Sequence, residues 1–196
     1  MYTRMLVPLD GSDLAEVALP HLVEIAGGCH IPQIFLVSVT EQIKGKVSSG
    51  WAVERASALE FHMPSGGGGL PLGSSHTGML YSSDSSRIKD MPAELGRMAK
   101  TALDYLSKKS AELAKNGLHA EVKVLIGNPA EEIISFADQE EADLIIIASK
   151  GKSGLSRWAM GNIADKVVKS SDIPVLLVRP KPGFKETRTK RRGTAN

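Results

Sequence analysis

The chain predicts an α/β fold built on a parallel sheet with helices on both faces, and three observations carry that reading. Short apolar runs without polar alternation recur along it, the pattern of strands buried on both sides. Between them lie segments whose apolar residues keep the spacing of an amphipathic helix. With 196 residues and 42% hydrophobic content, there is material for one well-buried core, so a single domain is expected.

Strand one is expected at residues 5–9, ending in Asp10-Gly11-Ser12. Leu14, Val17, Ala18, Leu22, Ile25 and Ala26 then hold helical spacing, which makes Ser12 the N-cap of a first helix. Pro20 lies inside that helix and predicts a bend about one turn earlier, at roughly 3 kcal/mol in an isolated helix. Gly27-Gly28 is read as its end, and residues 34–39 as strand two. Residues 41–90 break the pattern: they are Ser-rich and carry Pro64, Gly66-Gly67-Gly68-Gly69 and Pro71. Roughly fifty residues far exceed the usual connection of about 4 to 6, so the segment reads as an insertion with a mobile Gly tract and a short helix at 51–61. A long amphipathic helix at 93–114 follows, stopped by Asn116-Gly117. Residues 121–126 are strand three. Asn128 caps the next helix, with Pro129 at its first position and Glu131 as the acid of a capping box. Strand four is 144–147, the last helix about 158–170, and strand five 175–178.

Composition excludes several function classes. A net charge of +2 does not argue for nucleic acid, and the basic residues concentrate in Lys181, Lys185, Arg188, Lys190, Arg191 and Arg192. Residues 181–196 therefore read as a basic, solvated, disordered tail after a domain spanning 1–180. Cys29 is the lone cysteine, and the five histidines are scattered without zinc-ligand spacing, which points to a reducing compartment. No charged leader precedes an apolar run and no stretch reaches membrane length, so a cytoplasmic protein without membrane contact is expected.

The segment from Ala148 to Asn162 holds the chemistry. It is a Gly-rich turn between a buried strand and a helix start, where backbone N–H groups are free to hold phosphate. Two familiar phosphate motifs fail against it. A Walker A loop requires Gly at the position of Ile146, and Gly151, Gly154 and Gly161 lack the G-x-G-x-x-G spacing. The spacing that fits is G-x-x-G-x9-G-[S/T], the ATP-binding signature of the universal stress protein family, which the chain resembles from residue 5 to 178. Here Ala148 replaces the first Gly, Gly151 and Gly161 stand in place, and Asn162 replaces the hydroxyl residue. The resemblance extends to Leu6-Val7-Pro8-Leu9-Asp10-Gly11-Ser12, to Gly127-Asn128-Pro129-Ala130-Glu131-Glu132-Ile133, to Ala142-Asp143-Leu144-Ile145-Ile146-Ile147, and to the closing Pro174 to Val178 segment.

The resemblance implies strand order 3-2-1-4-5, with a ligand crevice beyond the C-terminal ends of strands one and four, flanked by Asp10 and Lys150. It implies that Pro8, Leu9, Asp10 and Val39 surround adenine, and that Ala148, Gly151, Gly161 and Asn162 lie along the ribose and phosphates. Ile147, Lys150, Lys152 and Ile163 complete the set. Asp10 would accept from the adenine amino group, help hold a metal, or serve as a local cap; Lys150, Lys152 and Arg157 would neutralise phosphate charge. Ala148 is tolerable there if its φ is negative, and the Asn162 amide keeps a donor for phosphate. The implied function is a nucleotide-dependent signalling or stress-response module that binds ATP, or another adenine nucleotide, with Mg²⁺. A homodimer through Val175, Leu176, Leu177 and Val178 is implied as well. No catalytic acid, base or nucleophile is identifiable, so hydrolysis is expected to be slow at most, and no residue is assigned as a metal ligand. Two alternatives stay open: an ATPase or nucleotidyl-transferring enzyme of related architecture, and a nucleotide-free dimerisation module.

Overall fold

The computed structural model describes residues 2–41, 93–150, 160–181 and 184. The insertion expected at 41–90, with its short helix, and nearly all of the basic tail lie outside the described residues.

Among the described residues five strands, β1 (Arg4–Pro8), β2 (Gln33–Thr40), β3 (Ala120–Ile126), β4 (Leu144–Ala148) and β5 (Val175–Val178), form one sheet in the order β3-β2-β1-β4-β5. Every pairing is parallel. Among the described residues four helices, α1 (Ala18–Cys29), α2 (Ala93–Ala114), α3 (Pro129–Gln139) and α4 (Asn162–Ser170), connect them. The strand alternation sorts side chains into two cores. Met5, Val7, Ile34, Leu36, Leu144 and Ile146 pack under α1 and α2, which contribute Leu22, Ala26, Leu103 and Leu106. Leu6, Phe35, Val37, Ile145 and Ile147 pack under α3 and α4, which contribute Ile133, Phe136, Ala164 and Val167. Phe35 meets Phe136 edge to face at 5.5 Å between centroids, worth about 0.5–1.5 kcal/mol beyond the area buried. Because β1 and β4 have both faces covered, their sequences are apolar without alternation, which is why they are legible as strands.

The helix ends depart from the sequence expectations. Residues Ala15–Val17 wind as a 3-10 turn, and α1 proper begins at Ala18. Pro20 consequently sits in the first turn, where an N–H has no intrahelical acceptor, and the penalty of an interior proline does not arise. The helix also runs through Gly27 and Gly28, neither of which has a positive φ, and stops at His30 in the left-handed conformation (φ 54°). There the Ile31 N–H donates to the Ala26 carbonyl at 3.1 Å. At the end of α2 the Asn116-Gly117 stop is realised. Gly117 has φ 75°, its N–H donates to Ala114 and the Leu118 N–H to Leu113, the paired bonds of a Schellman motif. Asn128 occupies the N-cap of α3 with Pro129 after it, but its amide donates to Glu131 Oε1 at 2.9 Å, a side-chain pair in place of the reciprocal capping box. The last helix starts at Asn162, because Met160 and Gly161 are non-helical.

Candidate functional site

The chain leaves β1 for α1 on one face of the sheet and leaves β4 for α4 on the other, so the connections diverge between two neighbouring strands. That divergence opens a crevice beyond the C-terminal ends of β1 and β4.

On the β1 side, Pro8 closes the strand opposite Val37, and the Leu9 N–H donates to the Val37 carbonyl at 2.7 Å. The Leu9 side chain is buried in the core beneath α1. Asp10 follows, half-buried, with Gly11 at φ 78° turning the chain back so that Ser12 faces its carboxylate. Ser12 donates to Asp10 Oδ1 twice, from its N–H at 2.9 Å and its hydroxyl at 2.6 Å. The same hydroxyl accepts the Ala15 N–H at 3.1 Å, so Ser12 ties down the turn ahead of the 3-10 segment, while the N-cap of α1 is Val17 and not Ser12. Asp10 is thus oriented by its own turn.

On the β4 side, Ile147 is buried in the core under α3 and α4, and Ala148 ends the strand opposite Val178. Ala148 is absent from the residues with positive φ, so its methyl group is accommodated without backbone strain. Lys150 is half-buried beyond it. Gly161 is the N-cap of α4, and its N–H donates to the Ser149 carbonyl at 2.8 Å. Asn162 and Ile163 at the helix start are exposed, Val39 is half-buried near the end of β2, and Gly151 and Lys152 lie outside the described residues. The topology therefore gathers Pro8, Asp10, Ala148, Lys150, Gly161 and Asn162 at one end of the sheet. Leu9 and Ile147, at the same end, are buried.

A model of the universal stress protein family matches residues 76–179. The chain belongs to this family. Among universal stress proteins, YxiE of Bacillus subtilis is 28% identical over 179 residues, covering 91% of this chain and 100% of the relative. The universal stress protein MJ0577 of Methanocaldococcus jannaschii is 27% identical over 181 residues, covering 92% and 97%. Among solved structures, the universal stress protein UspA of Lactobacillus plantarum superposes with a TM-score of 0.62 at 20% identity, covering 91% of this chain and 98% of that one. The five-stranded order 3-2-1-4-5 is the arrangement that this resemblance implied.

The universal stress fold carries a second polar feature that sequence reading missed. Glu16, in the 3-10 turn just past Asp10, accepts hydrogen bonds from Tyr105 and Lys109 of α2. Burial, then the charge and hydrogen bond of Glu16, then the Asp10 charge all push the Tyr105 hydroxyl above its ordinary pKa. Burial alone would lower the Lys109 pKa, but hydrogen bonds from its ammonium to Glu16 and Glu112, with their charges, leave it raised. Tyr105 and Lys109 share a helix face, a readable signal, but their partner lies about ninety positions away and left none. Among the described residues no group of three or more His, Cys, Asp or Glu is placed to hold a metal ion, and no helix is long and apolar enough to cross a membrane.

Proposed function

We propose that this universal stress protein binds ATP, or another adenine nucleotide, with Mg²⁺ and acts as a nucleotide-dependent signalling module. The observation that carries the reading is the N-terminus of α4. Its first N–H groups have no intrahelical acceptor, and its N-cap is Gly161, which has no side chain to satisfy them. They open, with the positive end of the helix dipole, beside the exit of β4, where a phosphate would be favoured. Exposed Asn162 adds an amide donor and Lys150 a charge. Asp10, held by Ser12 across the β1–β4 crevice, suits the amino group of adenine. With no carboxylate cluster among the described residues, Mg²⁺ would be held chiefly by the phosphates.

We further propose a homodimer through β5. Val175, Leu176 and Leu177 are half-buried on a sheet edge with β4 on one side only, an arrangement that invites pairing with a second copy. The cytoplasm suits a chain with a single, exposed cysteine.

Asn162→Asp tests the phosphate site without weakening the fold, because an acid at a helix N-terminus stabilises the helix while repelling phosphate. Calorimetric titration should show ATP binding to the wild type and about tenfold weaker binding to the variant, a loss typical of a charge-assisted hydrogen bond. Equal affinities would place the phosphates elsewhere. Failure of the wild type to bind any adenine nucleotide would favour the nucleotide-free dimerisation module.

A further inference from the structure

The turn after β1 is tied to α2 by a polar network that core packing does not require. Tyr105, Lys109 and Glu112 lie at i, i+4 and i+7 along α2, on one face of the helix. The Tyr105 hydroxyl donates to Glu16 Oε1 at 3.0 Å, while Lys109 Nζ donates to Glu16 Oε2 at 2.8 Å and to Glu112 at 3.2 Å. Both oxygens of Glu16 are therefore engaged by α2, where the Lys109 side chain is 14% and the Glu16 side chain 27% exposed. Such partly buried, charge-assisted bonds are less screened than surface pairs. The backbone N–H groups of Ala15 and Glu16 both donate to the Ser12 carbonyl, and Ser12 donates twice to Asp10. A continuous chain of bonds runs from α2 through Glu16 and Ser12 to Asp10.

We propose that Glu16, Tyr105 and Lys109 are positioning residues that set the Asp10 carboxylate at the β1–β4 crevice and, through it, the preference of the site for the adenine base. They touch no ligand and act through Ser12. An immobilised carboxylate favours a ring amino donor and repels a ring carbonyl, whereas one free to swing into solvent discriminates less. The ligand part of this inference rests on the adenine-nucleotide reading; the positioning of the turn does not.

The test uses the full-length protein. Tyr105→Phe removes one hydroxyl with almost no change in volume, and Glu16→Gln removes the charge that Lys109 faces. Amide exchange at Ser12, Ala15 and Glu16 is measured without nucleotide, and affinities are measured for ATP and for ITP, which carries a carbonyl in place of the amino group. Both variants should speed Ser12 exchange about tenfold with little change in the global unfolding midpoint. The ATP-over-ITP ratio should fall about tenfold. In an Asp10→Ala background, Tyr105→Phe should change that ratio no further, because its effect runs through Asp10. Ser12 exchange unaltered in both variants overturns the proposal, as does a Tyr105→Phe effect on the ratio that persists without Asp10. A wild type that takes up neither nucleotide sinks the adenine reading and the ligand part with it, while the exchange measurement decides the positioning of the turn alone.

Discussion

Gly161 donates its backbone N–H to the Ser149 carbonyl at 2.8 Å, and that bond closes the entry of α4 onto the exit of β4. Gly161 has φ −65° and ψ 144°, a conformation open to any residue, so glycine is favoured there by close approach and not by backbone strain. A β-carbon built there lies 3.3 Å from the Ser149 oxygen and 3.7 Å from the Lys150 Cα.

Gly161 substitutions should accordingly affect the fold as well as any ligand. Gly161→Ala is expected to cost about 1 kcal/mol from the crowded contact and the poorer N-cap, with Gly161→Val costing more. Urea unfolding checks this, and a valine variant as stable as the wild type would mean that the β4 exit yields freely.

Pro20 occupies the first turn of α1, after the 3-10 turn has already reversed the chain. Its fixed φ narrows the unfolded ensemble at little native cost, so Pro20→Ala should destabilise by about 0.5 kcal/mol. Thermal unfolding distinguishes this from the gain of about 3 kcal/mol expected when an interior proline is removed.

At the opposite end of the sheet, Asp143 accepts from the Thr3 N–H at 2.6 Å, the Thr3 hydroxyl at 2.8 Å and the Arg4 N–H at 3.1 Å. Burial acts to raise its pKa, but these bonds outweigh it and hold the carboxyl below its ordinary value. A depressed folded pKa contributes stability above the unfolded value of about 3.9, lost as pH falls through the folded one. Asp143→Asn should cost about 1 kcal/mol at neutral pH. In chemical unfolding across pH the gap from wild type should close below the ordinary carboxylate range; a gap that persists in acid would show that the charge is not responsible.

The β5 edge should support a dimer at micromolar concentration, and Leu176→Lys with Leu177→Lys should shift it toward monomer in analytical ultracentrifugation. Each leucine also packs against one of the two cores, so circular dichroism must show the double variant folded. A wild type that sediments as a monomer would exclude the pairing.

What the sequence determined by itself was what local pattern reports. Leu144, Ile145, Ile146 and Ile147 are legible as a strand because both faces are covered, and Asn116-Gly117 as a stop because only a residue tolerant of positive φ ends a helix that way. The motif around Gly161 and Asn162 likewise pointed to the entry of α4 beside the exit of β4, though not to the residue at which α4 begins. Tertiary structure decided the rest. Whether α1 starts at Ser12 or Ala18, and whether it halts at Gly27 or His30, depends on packing against the sheet, since both choices satisfy the same helical period. Glu16 found Tyr105 and Lys109, and Asp143 found Thr3, across long stretches of chain. Apolar burial imposes a period that can be read in one dimension; a polar pair imposes none, because its partners need only meet once the sheet has brought them together.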